Sequence, residues 1–184
     1  MTSRPSIARR VLAVDPCSSG FGFAVLEGSE HLLDWGVREV VRRSGARYAK
    51  LIDDLIKHYQ PDVIVVEECA DRASRRGPRV RRLIQRIHKL GVSRMTSVRG
   101  VSRSAVQKAF SEWGGRTKQQ IAMTIANQLP QLASRLPPLR QPWMSEDYRM
   151  SIFDAVALGL TYFHLLHRRT SSRDRVKSVT DQNP

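Results

Sequence analysis

The sequence predicts an α/β fold in which helices flank a mixed five-stranded sheet, an antiparallel meander followed by parallel strands. Three observations lead to this prediction. Short apolar runs joined by tight turns fill the first part of the chain up to Val37. The apolar period changes to that of a helix from Ala46. An unbroken β-branched run, Val63–Val66, follows that helix, as in parallel strands covered on both faces.

The meander consists of three predicted strands, Val11–Val14, Phe21–Leu26 and His31–Val37. A turn that begins at Asp15 separates the first two strands, and Gly28 ends the second. Because both connections are short, we expect consecutive strands to pair antiparallel.

The next elements alternate between helix and strand. Apolar side chains on one helical face predict a helix from Ala46 to Tyr59, which Pro61 stops. After the covered strand, a second amphipathic helix is predicted over Val80–Leu90, ended by Gly91. A weaker strand over Val92–Val98 completes the five.

Three helices follow in the last part of the chain. They are predicted over Ser102–Trp113, over Thr117–Leu129 with Thr117 as the N-cap, and over Ser145–His167. We expect residues 10–167 to form a single domain, and residues 168–184 to be a basic, disordered tail.

The charge balance predicts an anionic partner. The 184-residue chain has 31 Lys and Arg against 17 Asp and Glu, a net charge of +14. Self-repulsion of that size opposes compaction, which indicates an anionic partner. Nucleic acid is the leading candidate, and an anionic membrane surface is the weaker one. The chain has no run of 18 apolar residues and no apolar signal core before Val11, and its two cysteines make no disulfide framework. We therefore expect a cytoplasmic protein without a membrane span.

Three carboxylates stand where the predicted elements can bring them together. Asp15 ends the first strand, Glu67 ends the covered strand, and Asp154 lies in an apolar stripe of the last helix. Parallel strands place their carboxyl ends at one edge of the sheet, where α/β folds gather their sites. Alone, Asp15 is commonly a turn residue and Glu67 a solvated one, whereas an acid inside an apolar stripe, as Asp154 is, must be paired, liganded or exposed. The joint pattern is more specific.

Clustered carboxylates repel one another unless a cation binds them. Hard oxygen ligands select Mg²⁺, with Mn²⁺ able to substitute. Two such ions, roughly 4 Å apart, activate water and stabilise the leaving oxygen of a phosphodiester. The pattern thus predicts metal-dependent phosphodiester hydrolysis.

Four segments resemble the RuvC-type Holliday-junction resolvases of the RNase H-like superfamily. Val11–Val25 is similar to that family's first strand, Asp-Pro turn and returning strand, and Val65–Glu67 to its second acidic strand end. Asp154–Leu158 resembles its Asp-Ala-hydrophobic helix, and Gly115–Ile121 the segment that carries a basic residue beside the scissile phosphate. The resemblance covers about residues 10–165 and implies an RNase H-like fold.

The resemblance also implies roles for individual residues and a biological function. Asp15, Glu67 and Asp154 would be metal ligands, and Lys118 would contact phosphate near the cut. The family cuts branched DNA as a homodimer, so a crossover-junction endodeoxyribonuclease active in DNA recombination and repair is expected.

The chain departs from the family at three positions: Cys17 replaces a Gly, Gln107 stands where a second Lys is expected although Lys108 is adjacent, and Ser151 replaces a fourth acid. We expect Asp147, rather than Glu146, to replace that acid as a ligand. The alternative is that both merely complement the dipole of the last helix.

A stretch from Arg72 to Arg103 contains eleven basic residues and no acidic one. Opposite charges normally interleave on a solvated face, so this stretch predicts phosphate contacts. The residues expected to bind nucleic acid are Arg75, Arg76, Arg79, Arg82, Arg86, Lys108 and Lys118.

Two other functions stay open. An RNase H-like nuclease of this kind could instead act on structured RNA or transposon ends. The second of them is a nucleic-acid-binding module that has lost catalysis. Ser151 favours this function, and the intact trio of acids opposes it.

Overall fold

The computed structural model describes residues 9–17, 19–40, 44–68 and 76–180, with side chains up to residue 169. The elements in chain order are β1 (Arg10–Pro16), β2 (Gly20–Glu27), β3 (His31–Glu39), α1 (Gly45–Tyr59), β4 (Val63–Glu67), α2 (Pro78–Ser93), β5 (Ser97–Val101), α3 (Arg103–Ser111), α4 (Lys118–Gln128) and α5 (Met150–Thr180). A short 3₁₀ helix, Pro130–Arg135, follows α4.

The five strands form one mixed sheet in the order β3-β2-β1-β4-β5. β1, β2 and β3 pair antiparallel, and β1, β4 and β5 pair parallel. The predicted sheet, a meander followed by parallel strands, is confirmed. Because α1 leads into β4 and α2 leads into β5, the carboxyl ends of β1, β4 and β5 lie at the same edge of the sheet.

Alternation along the strands builds a hydrophobic core on each face of the sheet. Val11 and Ala13 of β1 lie on the face covered by α3, α4 and α5, whereas Leu12 and Val14 lie on the face covered by α1 and α2. The run Val63–Val66 divides between the same two cores. This explains why its residues are all apolar.

Helix α5 is the central helix of the larger core and packs on β1 and β2. Two glycines permit its close approach. A Cβ at Gly22 would lie 2.1 Å from the Ser151 carbonyl oxygen, and a Cβ at Gly159 would lie 2.4 Å from a Leu26 methyl. Either added methyl would displace the helix from the sheet.

The apolar character of α5 raises the question of a membrane span. Among the described residues, Met150–Arg169 is long and apolar enough to cross a membrane by length and composition. However, 72% of this window is buried inside the fold, which is typical of a core helix.

The predicted N-cap Thr117 is confirmed, and two further helices begin after a serine cap. The hydroxyls of Ser44, Ser102 and Thr117 each accept a backbone N–H three residues on. Gln120 completes a capping box at Thr117, which fixes the first turn of α4.

The prediction was wrong about the start of β5. Val92 and Ser93 belong to α2, which continues through Gly91, and the strand begins only at Ser97. A Cβ at Gly91 would lie 2.3 Å from a Val98 methyl, so this glycine makes room for β5 rather than ending the helix. The break occurs at Met95, whose φ is +54°.

The prediction was also wrong about both ends of the last helix. It begins at Met150 rather than Ser145, after a turn closed by the Met150 N–H donating to the Asp147 carbonyl. It continues past His167 to Thr180, so residues 168–180 of the expected tail are helical. No Pro or Gly interrupts this part of the sequence.

Candidate active site

The strands place two acids side by side at the carboxyl edge of the sheet. Val14 of β1 pairs in register with Val66 of β4, and Asp15 and Glu67 are the next residues. By the two-residue period, both acids point to the face that α5 covers. Both are buried, Asp15 to 2% and Glu67 to 6% exposure.

Asp154 approaches from the first turns of α5 and completes the predicted trio. The three acids line one cavity of about 470 Å³, together with Arg76, Arg103, Val106, Gln107, Arg116, Lys118, Ile121, Arg140, Glu146, Ala157 and Leu158. The cavity is therefore acidic at its sheet edge and surrounded by five basic side chains.

Arg76 binds both strand acids. Its Nε donates to Glu67 Oε2 at 2.5 Å, its Nη2 donates to Asp15 Oδ1, and its Nη1 donates to the Pro16 carbonyl at 3.1 Å. Burial would lower the pKa of this guanidinium, but the neighbouring carboxylates outweigh that effect and raise it. Arg76 therefore remains charged and offsets part of the negative charge of the strand acids.

Lys118 binds the helix acid. As the first residue of α4 it is positioned by the Thr117 cap, and its Nζ lies 2.8 Å from Asp154 Oδ2 and 2.5 Å from Glu146 Oε1. Burial lowers the pKa of the ammonium, yet the ion pairs with Asp154 and Glu146 raise it overall.

The pKa values of Asp15 and Asp154 are raised even though Arg76 and Lys118 lie beside them. Burial, followed by the charge of Asp154, raises the pKa of Asp15 to about 8, although Arg76 and Lys118 oppose the shift. Burial likewise raises the pKa of Asp154 against the opposing effect of Lys118. The negative charges of Asp15 and Asp154 are thus only partly neutralised, and further positive charge in the cavity would stabilise them.

The oxygen atoms of these acids are the kind of ligand that a hard cation prefers, although basic side chains contact them in this structure. Within the described ranges, no three His, Cys, Asp or Glu side chains are arranged to hold a metal ion. Arg76 and Lys118 occupy the acids instead. Buried, oxygen-only, under-neutralised ligands are nevertheless what Mg²⁺ or Mn²⁺ requires.

The structure brings Glu146, and not Asp147, to the cavity. Because α5 begins late, Asp147 lies in the preceding turn, where its carboxylate accepts from the Arg149 guanidinium at 2.7 Å. Ser151 is buried against Gly22 and donates to the Tyr148 carbonyl at 2.7 Å. The expectation that Asp147 reaches the other acids is therefore corrected.

The predicted nucleic-acid-binding residues separate into three places. Arg76 and Lys118 line the acidic cavity. Arg79, Arg82 and Arg86 line a cleft beside Gly45 on the opposite face of the sheet. Lys108 lines another cleft with Arg168 and Arg169, and Arg75 lies outside the described residues.

Sequence reasoning missed part of the cavity wall. Arg103 belongs to the basic stretch and Arg116 to the segment Gly115–Ile121, but neither was among the residues expected to bind nucleic acid. Arg140 lies between prolines in an irregular loop, and no periodicity marks it. Gln107, rather than Lys108, faces the site.

Comparison with known proteins gives structural likenesses only. No protein-family model matches the sequence, and no curated protein matches it significantly. Thermus thermophilus RuvC is 17% identical, with a TM-score of 0.63 over 88% of this chain and 96% of that one. The yeast mitochondrial Holliday junction resolvase Ydc2 is 14% identical, with a TM-score of 0.67 over 96% of this chain and 87% of its own.

A third likeness is to the fowlpox virus resolvase, solved with substrate Holliday junction DNA. It is 13% identical, with a TM-score of 0.53 over 84% of this chain and 98% of that one. These likenesses confirm the predicted RNase H-like fold, in the form that the RuvC-type resolvases have.

Proposed function

We propose that this chain, with the fold of the RuvC-type resolvases, is a metal-dependent endonuclease that hydrolyses phosphodiesters in branched DNA, Holliday junctions foremost. The observation that carries the proposal is the meeting of Asp15, Glu67 and Asp154 in one cavity with basic walls. T. thermophilus RuvC has also been solved with a Holliday junction substrate, which supports the choice of substrate.

Asp15, Glu67 and Asp154 would hold Mg²⁺, with Mn²⁺ as a substitute. The bound cation would supply polarisation of the phosphodiester and a more acidic attacking water. The remaining steps belong to the protein. Lys118 holds a positive charge beside Asp154, where it would stabilise charge that develops on the phosphate. Arg103, Arg116 and Arg140 would orient the strand at the cavity wall.

The decisive experiment incubates the protein with synthetic four-way junction, duplex, flap and RNA–DNA hybrid, each with Mg²⁺ and with EDTA. Preferred cutting of the junction in Mg²⁺ alone is the expected result. Preferred cutting of the hybrid would favour the RNA alternative. No cutting of any probe, despite binding, would favour a non-catalytic module, which Ser151 and the Arg76 contacts support.

Asp147→Asn is expected to leave cleavage within about threefold of the parent. Asp147 contacts Arg149 outside the cavity, so its loss should cost only about 0.3–1 kcal/mol of stability. Glu146→Gln should lower cleavage about 10- to 100-fold, because Glu146 positions Lys118. Initial rates on the junction compare the two, and a reversed order would restore Asp147 as the fourth acid.

Binding is expected to weaken steeply with salt, because each neutralised phosphate releases counterion. Replacing Arg79 and Arg82 together with Ala should flatten the slope of log K against log salt by about one to two units. Anisotropy titrations in EDTA at several salt concentrations measure the slope. An unchanged slope would mean that the cleft beside Gly45 lies away from the nucleic acid.

Dimerisation and cytoplasmic location stay predictions from the sequence. A homodimer would pair two cavities for symmetric cuts, and sedimentation of the purified chain tests the state. Roles in DNA recombination and repair follow only if junctions prove to be the substrate.

A further inference from the structure

The loop between the 3₁₀ helix and α5 exposes large apolar side chains beside the cavity. We call residues 139–148 the apolar loop. Trp143 is 81% exposed and Tyr148 61% exposed, and Leu139 and Met144 are exposed as well. A tryptophan this open to water is unusual and commonly marks a binding surface.

The backbone holds Trp143 in a defined position. Residues 141–144 form a turn in which the Met144 N–H donates to the Gln141 carbonyl at 3.0 Å, with Pro142 at the second position. Arg140 Nε donates to the Met144 carbonyl at 2.7 Å and so ties the two sides of the turn. Trp143 is thus presented at the tip of a pre-organised turn.

The apolar loop is also attached to the cavity at two points. Arg140 and Glu146 both line it, and Glu146 is held by Lys118 at 2.5 Å. Trp143 is three residues from each of them, so its Cα lies within about 11 Å of the Cα of either residue. A stacked nucleic-acid strand covers that span in about three nucleotides, at roughly 3.4 Å each.

The charge around the loop favours a nucleobase over other occupants. Arg116 and Arg140 line the adjoining cavity wall, so the approach to Trp143 is cationic. Both acids of the loop are already paired, Glu146 with Lys118 and Asp147 with Arg149. An aromatic face beside phosphate-binding cations is the combination that binds single strands by stacking.

We propose that Trp143 stacks on an unpaired base of the nucleic-acid strand whose phosphate enters the acidic cavity. In a continuous duplex both faces of a base are covered by its neighbours, so only an opened strand offers this contact. The apolar loop would thereby select DNA that is unpaired near the cut. This inference rests on the proposed function for the position of the phosphate.

The test measures binding of the full chain in EDTA to a 12-nucleotide thymidine strand, a four-way junction and a continuous duplex. Trp143→Ala should weaken binding to the single strand by about 5- to 150-fold and leave duplex binding within about twofold. Trp143→Phe should keep most of the affinity. Trp113→Phe is the matched control and should change nothing, because Trp113 packs on Phe110 and His164.

A second readout is the quenching of tryptophan emission when the thymidine strand binds, which Trp143→Phe should remove. Equal weakening on duplex and single strand, or no weakening on either, would overturn the proposal. If Trp143→Ala bound the strand unchanged but lost self-association or binding to anionic phospholipid vesicles, the proposal would also be overturned. Because no cleavage is measured, a protein that binds strands but never cuts would refute the nuclease and leave this inference standing.

Discussion

Asp154→Asn is expected to lower junction cleavage on the order of 1,000-fold while binding in EDTA stays within about twofold. The amide keeps the shape of the side chain and a hydrogen-bonding oxygen for Lys118, but it removes the negative charge that the proposed cation would need. Affinity should persist because the basic side chains of the cavity wall, which would supply most of it, are untouched. Single-turnover rates in Mg²⁺ and anisotropy in EDTA measure the two quantities.

Asp15→Asn and Glu67→Gln should behave in the same way, since both acids line the same cavity. Asp53→Asn is the matched control, because Asp53 pairs with Lys57 and Arg94 away from the site and its loss should leave cleavage unchanged. Cleavage by Asp154→Asn at more than a few per cent of the parent rate would rule out its assignment as a ligand.

Asp15→Asn is expected to stabilise the metal-free protein at alkaline pH. The pKa of Asp15 is raised to about 8 in the fold, from 3.8 in the free side chain, first by burial and then by the charge of Asp154. Because its pKa is raised, Asp15 keeps a proton in the folded state at pH values where the unfolded state has already lost it. Its contribution to stability is therefore complete below about pH 3.8 and lost as pH rises through about 8.

One proton is worth about 1.4 kcal/mol per pH unit, so this effect is at most about 4 kcal/mol between pH 5 and pH 8. Urea unfolding in EDTA at several pH values should show the parent losing stability relative to Asp15→Asn over that window. Saturating Mg²⁺ should reduce the difference, because a bound cation replaces the lost proton. Parallel curves for the two proteins would contradict the raised pKa.

The sequence was sufficient for the fold because its signals were periodic and local. The change from short apolar runs to a helical period at Ala46, and the covered run Val63–Val66, predicted the mixed sheet correctly. The N-cap Thr117 was likewise predicted from local chemistry, and Ser44 and Ser102 cap two other helices in the same way. Gly91 misled the prediction because its role is a tertiary contact with Val98, which no local pattern shows.

The candidate site was predictable where strand ends determine it. Asp15 and Glu67 follow apolar runs, so their meeting at one edge of the sheet required only the topology. The partners of these acids were not predictable. Arg76 was expected on phosphate and instead contacts both acids, and the choice of Glu146 over Asp147 depends on where α5 begins.

Helix α5 has a consequence for the order of events during synthesis. The same helix fills the larger core and carries Asp154, whereas Asp15 lies in the first strand. A nascent chain still lacking α5 has neither a closed core nor the third acid. Closure of the larger core and assembly of the three acids therefore both depend on α5, so the proposed site cannot form on a chain that stops before this helix.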